Sequence, residues 1–224
     1  MTTEPVDTPR RPNLSREKVL RAAVAMADED GKGAPSVRAL AKRLGVEAMS
    51  LYHHFRNKDL ILDGMVDLVF AEVEDPQEGA RWRTAMRGRA ASMRAALVRH
   101  PWALGLMDSR TSPGPATLRR HDAAIGCLRS GGFSVAGAAH ALSVLDGYTY
   151  GFTLQQLSLP FTAPDGAGEV AGAMLEGMPP DAYPHLAEMI GELALKPGYT
   201  YTDEFETGLD LILDGLELRR GAWA

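Results

Sequence analysis

Apolar residues recur at helical intervals along nearly every long segment of this 224-residue chain. Val37, Leu40, Ala41 and Leu44 occupy positions i, i+3, i+4 and i+7, which is the pattern of one buried helix face. No segment shows the sustained alternation of apolar and polar residues that a half-buried strand requires. The sequence therefore predicts an all-α fold.

Capping and turn residues divide this helical pattern into elements. Ser15, Ser36 and Ser134 stand where an N-cap is expected, and Gly45 follows an apolar run as a C-cap. We expect helices over about 15–30, 37–44, 47–54, 58–73, 79–99, 115–130, 134–157 and 202–220, one or two more between 169 and 195, a linker over 75–79 and a loop over 160–168.

Composition and charge exclude several classes of protein. Nowhere does the sequence approach the roughly 18 uncharged apolar residues of a membrane span, and the polar N-terminal segment lacks the apolar run of a secretion signal. We therefore expect a cytoplasmic protein with no membrane partner. Cys127 is the only cysteine, so an intramolecular disulfide and a zinc site built from cysteines are excluded.

The charge is distributed unevenly along the chain. Residues 1–60 carry 11 Lys and Arg against 8 Asp and Glu, whereas the whole chain has a net charge of −5. A basic N-terminal module on an acidic body directs the attraction for phosphate to one end of the molecule. This asymmetry favours nucleic acid as a partner of the N-terminal part.

Two short predicted helices meet at Gly45, and the second is rich in polar and aromatic residues. This arrangement is typical of a helix-turn-helix that reads DNA. The stretch 35–65 resembles the corresponding segment of TetR-family repressors. The resemblance rests on Gly45-Val46 in the turn, Ser50-Leu51-Tyr52 in the second helix, His54-Phe55 at its end and Asn57-Lys58-Asp59-Leu60 at the start of the next helix.

The resemblance implies a role for individual residues in the DNA-reading segment. Ser36 and Lys58 match positions that bind phosphates, and Lys58 stands at a helix N-terminus. The positions that make base or near-base contacts are Arg38, Ala48, Met49, Ser50, Tyr52 and His54. Lys42 and Arg43 either add basic charge to this surface or form an ordinary solvated helix face.

The C-terminal part resembles the ligand-binding half of tetracycline-repressor-like proteins, most clearly at His100-Pro101-Trp102, Gly132-Phe133-Ser134 and Asp146-Gly147-Tyr148. We expect a largely apolar effector, oriented by a few polar groups. The candidate ligand-binding residues are Trp82, Met86, Trp102, Met107, Arg110, His140, Tyr148 and Gln155. Each apolar member could equally belong to an ordinary core.

The match departs from the tetracycline-binding members of the family at three positions. Leu106 and Glu74 stand where those members have the histidines that engage the drug–metal complex, and Ala124 replaces an amide that holds the drug. The resemblance therefore implies the fold and a small-molecule effector, while a metal-chelated tetracycline is disfavoured.

Three further motifs lack the structural context that their chemistry requires. Ser134 lies in a sequence similar to a nucleophile elbow, and residues 166–171 match a dinucleotide fingerprint, but neither follows a predicted strand. His53 and His54 are adjacent, so on a helix they diverge by about 100° and cannot chelate one ion from one face. We predict no enzyme activity, no metal site and no cofactor.

These observations predict a homodimeric regulator that binds double-stranded operator DNA and a small-molecule effector. We expect a disordered arm over 1–14, a three-helix helix-turn-helix DNA-binding domain over 15–60 and a larger helical ligand-binding and dimerisation domain over 61–224. The dimer seam is expected along 138–152 and 205–218, with Leu213 and Leu216 in it and with Gly147 and Gly151 permitting close approach. A ligand-independent architectural DNA-binding protein and a small-molecule enzyme are the alternatives.

Overall fold

The computed structural model describes residues 14–31, 33–77, 79–107, 113–161, 166–179 and 182–223, and these contain helices and no strand. The predicted all-α fold is confirmed. The helices are α1 (Arg16–Asp30), α2 (Val37–Leu44), α3 (Ala48–Tyr52), α4 (Lys58–Phe70), α5 (Trp82–Arg99), α6 (Trp102–Met107), α7 (Pro115–Ser130), α8 (Val135–Ser158), α9 (Gly166–Gly177), α10 (Pro184–Met189) and α11 (Asp203–Arg219), with a π-helical turn over Ile190–Ala194 and a 3₁₀ turn over Arg220–Trp223. The predicted arm lies almost entirely outside the described residues.

Four helices begin with an N-cap whose side-chain oxygen accepts a hydrogen bond from a backbone N–H three residues later. The caps are Ser15, Ser36, Asn57 and Ser134, on α1, α2, α4 and α8. Each bond satisfies one of the backbone donors that a helix N-terminus leaves free, and a cap of this kind contributes about 1 kcal/mol to stability. These caps fix where these four helices start.

Several predicted boundaries are wrong by a few residues. Helix α3 ends at Tyr52 instead of residue 54, because the N–H groups of His54 and Phe55 both donate to the Leu51 carbonyl and close a turn. Helix α4 likewise ends at Phe70, where turn hydrogen bonds replace the helical ladder over 71–73.

Helix α5 begins at Trp82 instead of residue 79. Arg81 has the extended backbone of an N-cap, and Gly79 has a positive φ of 74°, which a helix does not contain. Helix α9 begins at Gly166, inside the predicted loop. A Cβ atom at Gly166 would lie 2.6 Å from the Cβ of Phe161, so only glycine fits this buried helix start.

The first hydrophobic core joins the N-terminal helices to the rest of the chain. Val19 and Ala23 of α1, Leu40 of α2 and Leu51 of α3 share a buried cluster with Met65 of α4. The same cluster continues into Leu97 of α5 and into Trp102 and Ala103 of α6. The predicted boundary at residues 60 and 61 thus lies within α4, whose side chains pack in this shared core, and the domain division stays a prediction.

The second core lies among α5, α7, α8 and α11. Its fully buried members include Met86, Leu128, Phe133 and Phe205, and each contributes about 1.5–3 kcal/mol relative to an exposed position. The stripe of α11 that faces this core contains Phe205, Leu209, Leu213 and Leu216. The expectation that Leu213 and Leu216 lie in a dimer seam is wrong, because both are buried against helices of their own chain.

Candidate DNA interface and ligand domain

Helices α1, α2 and α3 form the N-terminal head of the molecule. Within this head, α2 and α3 meet at a sharp turn. Gly45 has a left-handed backbone with φ 67° and ψ 32°, a conformation that favours glycine. Its N–H donates to the carbonyls of Ala41 and Lys42, and the N–H of Val46 donates to the Ala41 carbonyl at 3.1 Å. These bonds end α2 and set the angle at which α3 leaves it.

Helix α3 is anchored to the head by its inner face. Leu51 and Phe55 are each 1% exposed, and the Arg16 guanidinium lies over the Phe55 ring, 4.3 Å from its centre. Arg16 also donates to the His54 carbonyl at 2.5 Å. The short helix is therefore held by α1 as well as by α2, and its outer face is presented in a fixed orientation.

The outer face of α3 carries exposed side chains of the type that contact base edges. Met49 is 70% exposed and Tyr52 is 43% exposed, although apolar and aromatic side chains of this size are usually buried. Ala48, Ser50 and His54 are half-buried beside them. A helix that presents such side chains and is held rigidly from behind is suited to the major groove.

The predicted phosphate-binding residues flank α3. Ser36 is exposed, and its hydroxyl oxygen also caps α2. Lys58 is the exposed first residue of α4, beside backbone N–H groups that the helix leaves free. Arg38 and Lys42 are exposed near them, whereas Arg43 forms a two-pronged ion pair with Glu29 at 3.0 and 2.5 Å. Of Lys42 and Arg43, whose roles the sequence leaves open, Arg43 is therefore neutralised by a carboxylate, and Lys42 has no such partner among the described residues.

The predicted ligand-binding residues do not converge on one site. Trp82, Met86 and Tyr148 belong to the second core, whereas Trp102 is buried in the first core and Met107 packs against it. The Trp82 indole N–H donates to Glu217 at 3.0 Å. The Tyr148 hydroxyl donates to backbone carbonyls of α11. Most of these side chains thus make ordinary core contacts within one chain.

The remaining polar candidates lie at the surface or outside the description. His140 is exposed, with its ring 5.6 Å from the ring of Trp223, and Gln155 is exposed and accepts a hydrogen bond from Tyr201 at 3.1 Å. Arg110 lies outside the described residues. These placements leave the ligand assignment of all eight candidates a prediction.

Sequence reasoning missed a buried ion pair between α5 and α8. Arg89 of α5 is 3% exposed and pairs with Asp146 of α8 through both terminal nitrogens, at 2.5 and 3.3 Å. His121 of α7 lies 3.9 Å from the same carboxylate. An arginine on the apolar face of a helix is the signal that could have located this pair, since a buried arginine needs a partner.

A second polar cluster connects α1 to the segments that follow α4 and α5. Asp28 of α1 accepts hydrogen bonds from the His100 Nδ1 and from the Trp102 indole, both at 2.7 Å. The His100 Nε2 lies 3.1 Å from Glu72, two residues after the end of α4. Burial acts to raise the pKa of Glu72, but hydrogen bonds from Arg99 and His100 outweigh it, so this pKa lies below its ordinary value. The cluster ties α1, the end of α4 and the start of α6 together.

A cavity of about 920 Å³ lies where α5 begins and α7 and α11 end. Trp82, Cys127 and Glu217 contribute to its lining. Of the seven ligand candidates that the structure describes, Trp82 alone belongs to this lining, so the cavity overlaps the predicted ligand-binding set at one residue.

The described residues include neither a metal-binding cluster nor a membrane-spanning helix. No group of three or more histidine, cysteine, aspartate or glutamate side chains is arranged to hold a metal ion. In the same parts of the chain, no helix has both the length and the apolar character needed to cross a membrane.

The head and the helical body together define a class of protein: a helix-turn-helix DNA-binding regulator with an all-helical C-terminal domain. Residues 19–65 match the family described as bacterial regulatory proteins, tetR family, and residues 75–220 match the tetracyclin repressor-like C-terminal domain. The chain belongs to the TetR family of ligand-responsive transcriptional regulators, which confirms the family and the general function predicted from the sequence.

Named relatives support this assignment over nearly the whole chain. The tetracycline repressor protein class A of Escherichia coli is 32% identical over 92% of each chain. The transcriptional repressor DrrR1 of Streptomyces coeruleorubidus is 32% identical over 96% of this chain and 85% of its own length. The structure of ActR from Streptomyces coelicolor in complex with actinorhodin superposes with a TM-score of 0.77 at 30% identity, covering 93% of this chain and 99% of ActR.

Proposed function

We propose that this chain is a homodimeric cytoplasmic repressor that leaves a palindromic operator when a small, largely apolar effector binds. The observation that carries the proposal is the head: Met49 and Tyr52 are exposed on a helix that Leu51 and Phe55 anchor from behind. Lys58 stands at a helix N-terminus on the next element, where phosphate is favoured. The head therefore combines base-reading and phosphate-binding side chains.

The exposed faces of α8 and α11 support a dimer. Val144 and Leu154 of α8 are 48% and 58% exposed, and Leu211 and Leu218 of α11 are 70% and 87% exposed. A Cβ atom at Gly147 or Gly151 would meet no atom of another described element within 4 Å, so a second backbone could approach closely there. Two such helices from each copy would form the four-helix seam expected from the sequence.

A small-molecule effector is supported by the relatives and by the contact between head and body. ActR is named as a complex with actinorhodin, and the relative from Escherichia coli is named a tetracycline repressor. An effector acts only if it binds the DNA-free conformation more tightly. The hydrogen bonds from His100 and Trp102 to Asp28 provide a contact that a change in the ligand domain would alter. Met107 and Arg110 follow Trp102 closely in the sequence.

The experiment that tests DNA recognition is selection from random duplex DNA followed by a footprint of the selected sequence. A regulator of this type selects a palindrome whose half-sites are about one helical turn apart. Replacing Tyr183, an exposed tyrosine that follows α9 in the sequence, by Ala provides the matched control for Tyr52→Ala. Recovery of no preferred sequence would contradict the proposal and favour an architectural DNA-binding protein.

A further inference from the structure

His100 has a carboxylate on each side of its ring. Its Nδ1 lies 2.7 Å from Asp28 of α1, and its Nε2 lies 3.1 Å from Glu72, two residues after the end of α4. The His100 side chain is 10% exposed, so water offers the ring little alternative to these two partners. The three side chains, here called the His100 bridge, join α1 to the segments that follow α4 and α5.

The position of the ring between two carboxylates requires that it be protonated. An ionised carboxylate only accepts hydrogen bonds, and a neutral imidazole has one N–H donor and one nitrogen lone pair. A neutral His100 could therefore donate to Asp28 or to Glu72 but not to both, and its remaining lone pair would face a carboxylate oxygen. The imidazolium donates to both, and hydrogen bonds between charged groups are about twice as strong as neutral ones.

Other polar groups hold the two carboxylates in place. Asp28 also accepts the Trp102 indole N–H at 2.7 Å, and Glu72 also accepts a hydrogen bond from Arg99. Arg120 of α7 reaches the same segment but donates to the backbone carbonyls on either side of Glu72. With a protonated ring, two cations face the two carboxylates, whereas a neutral ring leaves one negative charge without a partner in a partly buried place, which is unfavourable.

This bridge connects the two helices on which the predicted DNA contacts depend. Arg16 of α1 donates to the His54 carbonyl and lies over the Phe55 ring, which anchors α3. Helix α4 begins with the predicted phosphate-binding residue Lys58. A change in the bridge therefore acts on the relative position of α3 and of the α4 N-terminus, and both must fit the same stretch of DNA.

We propose that protonation of His100 strengthens operator binding, so that the protein releases its operator more readily as the pH rises. The imidazolium acts as a positioning residue that holds α1 and α4 in the arrangement that presents α3. Loss of the proton removes one of its two donors, and the bridge opens on that side. Histidine is the side chain whose charge ordinarily changes between about pH 5 and 8. This inference goes beyond the proposed effector response, because the ligand is a proton, and it takes only its readout, operator affinity, from the proposed function.

Operator affinity and ring protonation are measured on the full-length protein between about pH 6 and 9, where aspartate and glutamate stay ionised. Fluorescence anisotropy with the selected palindrome gives the affinity, and proton–nitrogen correlation NMR of the histidine rings, without DNA, shows which ring nitrogens carry a proton. His100→Gln removes the titrating ring, His100→Lys keeps a positive charge throughout, and His140→Gln, at an exposed histidine, is the matched control. His53 and His54 are present in every variant, so their own titration cancels in the comparison. Circular dichroism at each pH checks that the variants are folded.

We expect the ratio of wild-type to His100→Gln affinity to fall at least about fivefold across this pH range, as the His100 ring loses one of its two protons. His140→Gln should follow the wild type, and His100→Lys should lose less affinity than the wild type as the pH rises. A constant ratio, or a His100 ring that keeps the same protons throughout, would overturn the proposal. Because the ring titration needs no DNA, failure to select any operator would count against the proposed function, and a ring fixed in one protonation state would count against this inference alone.

Discussion

Neighbouring residues of α3 have opposite environments. Leu51 is buried in the head, whereas Met49 and Tyr52 are exposed, because residues three apart share a helix face and an intervening residue does not. Exposing a methionine and a tyrosine has no benefit for the fold of the isolated head. These two side chains are therefore the first place to look for sequence-specific contacts.

Replacing Tyr52 and Lys58 should separate base reading from phosphate binding. Tyr52→Ala should weaken binding to the selected operator by about 1–3 kcal/mol and relax its sequence preference. Lys58→Ala should weaken all sequences alike and reduce the salt dependence by about one phosphate contact. Fluorescence anisotropy over a salt series measures both effects, with Lys196→Ala as the control at an exposed lysine. Unchanged affinity in both variants would refute this use of the head.

Glu72 should make the free energy of unfolding depend on pH in the acidic range. Its pKa in the folded protein lies below the ordinary value of 4.5, so its stabilising contribution is complete above that pH and disappears as the pH falls through the folded-state pKa. Wild type and Glu72→Gln are compared by urea unfolding between neutral pH and pH values below 4.5. The difference between them should shrink as the pH falls, and a constant difference would contradict the assignment.

At the scale of elements, α11 shows what a helical pattern reveals and what it conceals. The sequence predicted that this helix has two apolar faces, and the structure has both: Leu213 faces the chain's own core, while Leu211 and Leu218 remain exposed. Periodicity alone does not say which face packs against which partner, because either would bury a similar apolar area. For this reason the sequence pattern places Leu213 and Leu216 in the seam, although the chain's own core buries both.

Leu211→Glu or Leu218→Glu should dissociate the dimer without unfolding the chain. A charge placed in an apolar seam without a partner is strongly unfavourable, so we expect the dimer dissociation constant to rise roughly a hundredfold or more. Sedimentation velocity measures this, and circular dichroism checks the fold. Leu118→Glu, at an exposed leucine of α7, is the control. A wild type that is monomeric at micromolar concentration would also contradict the proposal.

The contact between α1 and α6 predicts a coupled effect on stability and DNA binding. Asp28→Ala would remove the acceptor of both His100 and Trp102 and should lower the free energy of unfolding by about 1–3 kcal/mol. Operator affinity should fall as well, because α1 also anchors α3 through Arg16. Urea unfolding and operator titration test this against Asp30→Ala, which changes an exposed carboxylate on the same helix. Equal results for the two variants would show that the cluster holds nothing in place.

The elements and the head were largely predictable, whereas the interior of the ligand domain was not. Caps such as Ser36 and Asn57 and the turn at Gly45 act locally, so they can be read from neighbouring residues. The pairing of Arg89 with Asp146 joins residues 57 positions apart, and the Asp28 contact with Trp102 spans 74 positions. Such contacts depend on how helices pack, which no local pattern encodes.

At the scale of the whole molecule, two hydrophobic cores stabilise different sets of helices. The first core contains the head together with α4 and α6, and the second holds α5, α7, α8 and α11 together. Helix α5 contributes to both, with Leu97 in the first core and Met86 in the second. A movement within the ligand domain can therefore be transmitted to α3 through packed side chains, as a ligand-responsive regulator requires.

The most direct test of this account is the stoichiometry of operator binding. The palindrome selected from random DNA is compared with a duplex of equal length in which one half-site is scrambled, by anisotropy and by sedimentation of the complexes. We expect two chains on the palindrome and a loss of at least about a hundredfold in affinity for the scrambled duplex. A single chain bound with equal affinity to both duplexes would contradict it.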